Sequence, residues 1–259
     1  GRRPCRSDSG GHRRHLCARH AHSNAGERTI ATAIGEQTWN RDRLAQRVDR
    51  PHFRVWTYQS PAIVLGCSQH GLRPQAAARL SADVDLLERA TGGGAVLTGP
   101  WLVGVSVVLP PDHIWVRGGL LDSYRSLALL HVEVLAALGV PAQAVPPAAV
   151  RGAATRTGAP VDWACFGGLG PWELTDAQGR KLTGLAQRRQ PSGVLLVAGS
   201  LVSAPPWATL CMALGHDQDE AALAGRTVSC AELAGKAMAP RTLADALQRA
   251  LQRDLQESA

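Results

Sequence analysis

Hydrophobic and polar positions alternate over Phe53-Arg54-Val55-Trp56-Thr57-Tyr58, the period of a half-buried strand, and Ser60-Pro61 ends the run. Ala62 to Leu65 is a continuous apolar strand closed by Gly66, Val84 to Glu88 is a further strand, and Val103 to Leu109 is another, stopped by Pro110-Pro111. Glu36 to Arg47 and Gln75 to Leu80 read as short helices. In Leu120 to Leu138, leucine, valine and alanine recur at three and four residues, with Asp122 and Ser123 near the start and Gly139 past the end, which predicts a long packed helix. Residues 141 to 164 carry Pro, Ala, Gly and Arg without an apolar period and are expected as a long loop leading into Cys165.

Trp172 to Thr175 and Arg180 to Gln187, joined by Asp176-Ala177-Gln178-Gly179, predict a hairpin. Simple alternation puts Lys181, Thr183 and Gln187 on one face and Leu182 and Ala186 on the other, with Gly184 marking a close approach. Gly193 to Val202 is a strand and Pro206 to Leu214 a helix. Leu243, Leu247, Leu251 and Leu255 form a stripe that docks a C-terminal helix on the core. Strands outnumber helices in a mixed order, so the expected fold is α/β (α+β), a single domain over 30–259 with one mixed main sheet flanked by helices.

Composition sharpens this picture. The chain has 259 residues, 45% of them hydrophobic, enough for a substantial core. Its net charge of +7 is concentrated at the start, where Arg2, Arg3, Arg6, Arg13, Arg14, Arg19 and Arg28 face only Asp8 and Glu27, among His12, His15, His20 and His22. Residues 1–29 are therefore expected as a disordered Arg/His-rich leader on a nearly neutral body. Trp56, Trp101, Trp115, Trp163 and Trp172 have no basic interleaving, which argues against a nucleic-acid partner. No run of about 18 apolar residues or secretory signal occurs, so no membrane partner and a soluble cytoplasmic protein are expected. The six cysteines lack metal-ligand pairing and are expected to be free thiols.

Two runs carry candidate chemistry. Lys181, one of only two lysines, lies in Gly179-Arg180-Lys181-Leu182-Thr183-Gly184-Leu185-Ala186-Gln187-Arg188-Arg189, and its compact ammonium suits a point contact to carboxylate or phosphate. Gly92-Gly93-Gly94 follow a strand in Arg89-Ala90-Thr91-Gly92-Gly93-Gly94-Ala95-Val96, where backbone N–H groups can cradle an anion. Taken singly, a solvated lysine and a flexible loop are the commoner explanations.

Together, in this order, they resemble the biotin/lipoate ligase superfamily, and within it the lipoate-protein ligases and octanoyltransferases. The glycine signature Arg-x-Thr-Gly-Gly-Gly-Ala-Val matches Arg89 to Val96, the lysine signature matches Gly179 to Arg189, and Pro61 to Gln69 is similar to the family's early strand and turn. The resemblance covers roughly residues 45 to 257. It implies lipoyl or octanoyl attachment, with ATP and Mg2+ activating lipoate or octanoate as an acyl-adenylate that passes to a lysine of an acceptor domain. The acceptors implied are lipoyl domains of 2-oxoacid dehydrogenase E2 or the glycine cleavage H protein. Lys181 then supplies fixed positive charge, Thr91, Gly92, Gly93, Gly94 and Ala95 the ligand cradle, and Arg89 a support for loop or nucleotide. Thr183 and Gln187 share the lysine's face, Gly184 joins them as a binding residue through its close backbone approach, and Val64, Leu65 and Val96 line the acyl tunnel.

The family's histidines are missing where this chain reads Val96-Leu97-Thr98-Gly99-Pro100 and Leu196-Val197-Ala198-Gly199. A small C-terminal accessory domain is also missing, so a separate accessory protein is an expected partner of the ATP route. Ala164-Cys165-Phe166 fits the position of a nucleophilic cysteine in a subgroup of octanoyltransferases. That alternative takes octanoate from acyl carrier protein as a thioester, without ATP. A second alternative is a homologue that binds lipoyl domains without catalysis.

Overall fold

The Thr32 hydroxyl accepts the Gly35 N–H at 3.0 Å and starts helix α1, Ala33–Leu44. In this computed structural model residues 32–256 are described; the leader expected over 1–29 lies outside them. In chain order there follow β1 His52–Thr57, β2 Ala62–Leu65, α2 Arg73–Arg79, β3 Asp85–Glu88, β4 Val96–Thr98, β5 Leu102–Leu109 and α3 Leu120–Ala137. Then come β6 Gln143–Ala144, α4 Val150–Thr155, β7 Leu174–Thr175, β8 Lys181–Gln190, β9 Gly193–Leu201, α5 Trp207–Leu214, α6 Glu220–Arg226, α7 Cys230–Ala234 and α8 Pro240–Gln256.

The expected fold class holds. Six strands form the main sheet in the order β1-β5-β9-β8-β7-β6, and every strand pair in it is antiparallel. The mixed pairing lies instead in a three-stranded sheet, where β2 runs parallel to β3 and antiparallel to β4. Helix α1 covers one face of the main sheet through Leu44, which clusters with Val48, Val108 and Leu195. Helices α3 and α8 pack on the sheet and on each other. Leu243, Leu247, Leu251 and Leu255 are all buried, so the stripe docks inward as its period requires.

One segment differs from expectation. Residues 141–164 contain β6, which pairs with β7, and α4, introduced by a 3-10 turn at Pro147–Ala149. These elements are too short for any period to register, and the sheet edge and helix packing, not propensity, define them. From α6 the buried Arg226 guanidinium donates to Gly167, Thr157, Gly158 and Ala159 carbonyls at 2.8–2.9 Å, tying this segment to the Cys165–Gly167 turn. Among the described residues no helix is long and apolar enough to cross a membrane, and Cys67, Cys165, Cys211 and Cys230 are free thiols.

Leu247 is fully buried in the α8 stripe, so Leu247→Ala is expected to lower unfolding free energy by about 2–5 kcal/mol in a urea titration.

Candidate active site

The β7–β8 hairpin forms as its turn residues predict: Asp176 Oδ1 accepts the Gln178 and Arg180 N–H groups and its Oδ2 pairs with Arg180 Nε at 2.8 Å. Its register carries one irregularity. Leu174 pairs with Thr183 but Thr175 pairs with Lys181, so β8 holds one extra residue at this point. Such a bulge inverts the alternation across it. Lys181 therefore sits on the face of Gly184, whereas the Thr183 hydroxyl is buried elsewhere at 2.8 Å from Ser200 Oγ. Gln187 is also outside the pocket, donating to the Leu120 carbonyl at 3.1 Å. The expectation that Thr183 and Gln187 flank the lysine is corrected by this bulge.

Lys181 is 3% exposed. Its Nζ meets Glu173 Oε2 at 2.7 Å, the Cys165 carbonyl at 2.7 Å and the Gly168 carbonyl at 3.1 Å. An ammonium has three donors, and all are engaged. Glu173, 6% exposed, also accepts Gly170 N–H at 2.6 Å and Leu185 N–H at 3.1 Å. Glu173 was missed in the sequence, although the hairpin register itself carries a signal, because it brings a carboxylate eight positions earlier beside the lysine strand.

The glycine loop is built by Arg89, which is buried and donates to the carbonyls of Val64 at 3.2 Å, Gly92 at 2.9 Å and Gly94 at 2.7 Å. Arg89 thus supports the loop rather than standing free for a nucleotide. The N–H groups of Gly92, Gly93 and Gly94 donate to no protein group among the described residues. Gly93 takes φ 96°, and a β-carbon on Gly94 would lie 2.6 Å from the Trp163 carbonyl oxygen, so this close approach requires glycine. Ala95 acts through its backbone: its N–H donates to Trp163 O at 2.9 Å and its carbonyl accepts Cys165 N–H at 2.8 Å. The Thr91 hydroxyl is buried and makes no hydrogen bond among the described residues.

A polar pocket of about 180 Å3 brings Gly92, Gly93, Gly94, Cys165, Glu173 and Lys181 together. Next to it an apolar cleft of about 60 Å3 is lined by Val64, Val96, Leu102, Phe166, Val197 and Ala198. Cys165, Leu185 and Ala186 line both. Leu65 does not line the cleft, because it follows Val64 on a strand and so points to the other face. Cys165 Sγ and Lys181 Nζ both lie 3.5 Å from the point where a Gly184 β-carbon would be, so Gly184 keeps the space between thiol and ammonium open.

In the lining of the same cleft, Glu36 is buried with Tyr58 Oη donating to it at 2.7 Å. Desolvation raises its pKa to about 7, outweighing the lowering effect of Tyr58, Arg89, Asn40 and Ser106. The site can therefore hold an apolar chain beside a thiol, with an ammonium and backbone donors near the reacting end.

Residues 31–252 match the family model of the lipoyl protein ligase A/B catalytic domain. The octanoyltransferase LipM of Moorella thermoacetica is 35% identical in a 162-residue alignment that covers 59% of this chain and 53% of that protein. The chain spans about half the length of the curated relatives it matches. Its fold is similar to that of a bi-partite lipoate protein ligase from Thermoplasma acidophilum, solved in a study with its E2 lipoyl domain, with TM-score 0.59, 16% identity and coverage of 87% of this chain and 81% of that one. A lipoate-protein ligase A bound with ATP gives TM-score 0.54 at 18% identity, covering 82% of this chain and 75% of that one.

Gly184→Ala places a methyl group 3.2 Å from Lys181 Cε and 3.5 Å from Cys165 Sγ. It is expected to slow the chemistry of this site about 10- to 100-fold with little change in melting temperature, measured by intact mass of the product and thermal unfolding. Glu36 has its folded pKa raised from 4.5 to about 7, so between these values the native state retains a proton that the unfolded chain has released. Stability then falls as pH rises through that window, on the order of 3 kcal/mol in all. Urea titrations of wild type and Glu36→Gln between pH 4 and pH 8 check this, the variant losing that part of the slope.

Proposed function

The chain belongs to the lipoyl protein ligase A/B catalytic domain family, and from this we propose that it transfers an octanoyl or related medium-chain acyl group through a thioester on Cys165 to a lysine of a lipoyl acceptor domain. The observation that carries the reading is the place of the Cys165 thiol, at the junction of the apolar cleft and the polar pocket, beside Lys181 and the free glycine N–H groups. The relative named an octanoyltransferase supports it.

The acyl chain enters the cleft, where burial contributes about 0.8 kcal/mol per methylene. The Cys165 thiolate attacks the carbonyl of an acyl carrier protein thioester. An oxyanion forms, and its charge is stabilised by Lys181 and the N–H groups of Gly92, Gly93 and Gly94. The carrier thiolate leaves and takes up the proton lost by Cys165. The neutral amine of the acceptor lysine then attacks the Cys165 thioester, an amide forms, and the amine's proton returns to the thiol. The acceptor is a lipoyl domain of a 2-oxoacid dehydrogenase E2 or the glycine cleavage H protein.

The route through ATP and Mg2+ fits these residues less well. The polar pocket is lined by Asp162 and Glu173 against the single cation Lys181, and Arg89 is committed to carbonyls, so a triphosphate meets a lining whose charged side chains are mostly negative. No step is assigned to the nucleotide or the metal.

Intact-mass analysis of a lipoyl domain incubated with the protein tests this, with either octanoyl-acyl carrier protein or free acid plus ATP and Mg2+. The expected result is modification in the first case only, with an octanoyl adduct on the protein that Cys165→Ser abolishes together with transfer. Undiminished transfer by Cys165→Ser from free acid and ATP overturns the thioester route. Binding of the lipoyl domain without modification in either case makes the protein a non-catalytic homologue.

A further inference from the structure

We infer that Glu173 is the positioning residue that fixes Lys181 against the Cys165 turn, and that the ammonium exchanges its Gly168 contact for the acyl oxyanion while Glu173 serves as the pivot. The inference rests on the thioester reading above and adds a residue and a movement to it.

Glu173 cannot follow the lysine. Its Oε2 is fixed by the Gly170 N–H at 2.6 Å and its Oε1 by the Leu185 N–H at 3.1 Å, so the carboxylate is tied to the loop and to β8 independently of Lys181. Both side chains are almost fully buried, so the charge of the ammonium is answered chiefly by protein groups. Of the three acceptors around Nζ, the Gly168 carbonyl at 3.1 Å is the longest, against 2.7 Å for Glu173 and for the Cys165 carbonyl. The charge-assisted contact to Glu173 is the strongest and persists, and the Gly168 contact is the one most easily given up.

Backbone strain points to the same residue. Trp172, directly before Glu173, is at φ 67°, the one non-glycine residue with positive φ among the described residues. Its N–H is held by the Val145 carbonyl at 2.6 Å, and its buried indole N–H has no partner among the described residues. A conformation of this kind costs about 1–3 kcal/mol and persists where the surroundings impose it. Here β6 and the hairpin impose it, and they direct the next side chain at Lys181. Glu173 gains and loses no proton in the scheme. Its negative charge stays in place while the ammonium reorients.

A double-mutant cycle tests this in single-turnover acylation of Cys165 by octanoyl-acyl carrier protein, followed by intact mass. Glu173→Gln keeps the shape but offers one acceptor oxygen where the carboxylate offers two, and is expected to slow acylation roughly tenfold or more with unchanged half-saturation for the donor. Lys181→Met is slower still, and adding Glu173→Gln to it produces no further loss, because Glu173 acts through the lysine. Acylation at the wild-type rate in Glu173→Gln, or the same slowing with and without Lys181, overturns the inference. If Glu173→Gln fails to fold, Glu173→Asp, which keeps the charge and withdraws it, runs the same cycle. A wild-type protein that forms no Cys165 thioester sinks the functional reading instead, and the cycle is then measured on transfer from free acid and ATP, where independence of the two residues again counts against Glu173.

Discussion

A buried ammonium is the constraint around which the site is arranged. Lys181 is removed from water, so its charge must be balanced inside the protein, and the balance comes from the Glu173 carboxylate and the carbonyls of Cys165 and Gly168. These groups belong to three segments: the turn that carries the thiol, the short strand β7 region, and the start of β8. Satisfying one cation therefore fixes the relative positions of all three.

Two arginines act in the same way. Arg89 takes the carbonyls of Gly92 and Gly94, and Arg226 takes four carbonyls from two segments next to Cys165. Each guanidinium presents a planar fork of donors, which suits the collection of carbonyls from an irregular loop. The arrangement around Arg89 also gives the loop a polarity. The carbonyls of Gly92 and Gly94 are drawn toward the arginine, and the glycine N–H groups are left without protein partners among the described residues, which is the state a backbone anion cradle requires.

The apolar cleft supplies the other half of the site. Its walls come from both sheets, with Val64 and Val96 from the small one and Leu102, Val197 and Ala198 from the main one, so it exists only because the two sheets meet there. Glu36 and Tyr58 place a polar group with a strongly raised carboxyl pKa at one side of this cleft. A neutral carboxyl is compatible with an apolar ligand in a way that a carboxylate is not. Cys165 marks the boundary between the two environments, which is why the thioester reading is preferred to one built on the lysine alone.

Much of the fold was legible in the chain itself. The alternation of Phe53 to Tyr58, the period of Leu120 to Leu138, the leucine stripe from Leu243 and the turn at Asp176 are local patterns, and a local pattern fixes an element whatever it later packs against. The glycine run and Lys181 were singled out by residue type and became site residues through the family resemblance, and they do converge on one pocket. Other features were not legible, because they depend on contacts between distant segments. One extra residue in β8 reversed the expected side of Thr183, which no count of alternating residues reveals. The partner of Lys181 and the commitment of Arg89 to carbonyls were decided only when the chain closed on itself, since a charge removed from water is answered by whichever groups the tertiary packing brings within hydrogen-bond reach.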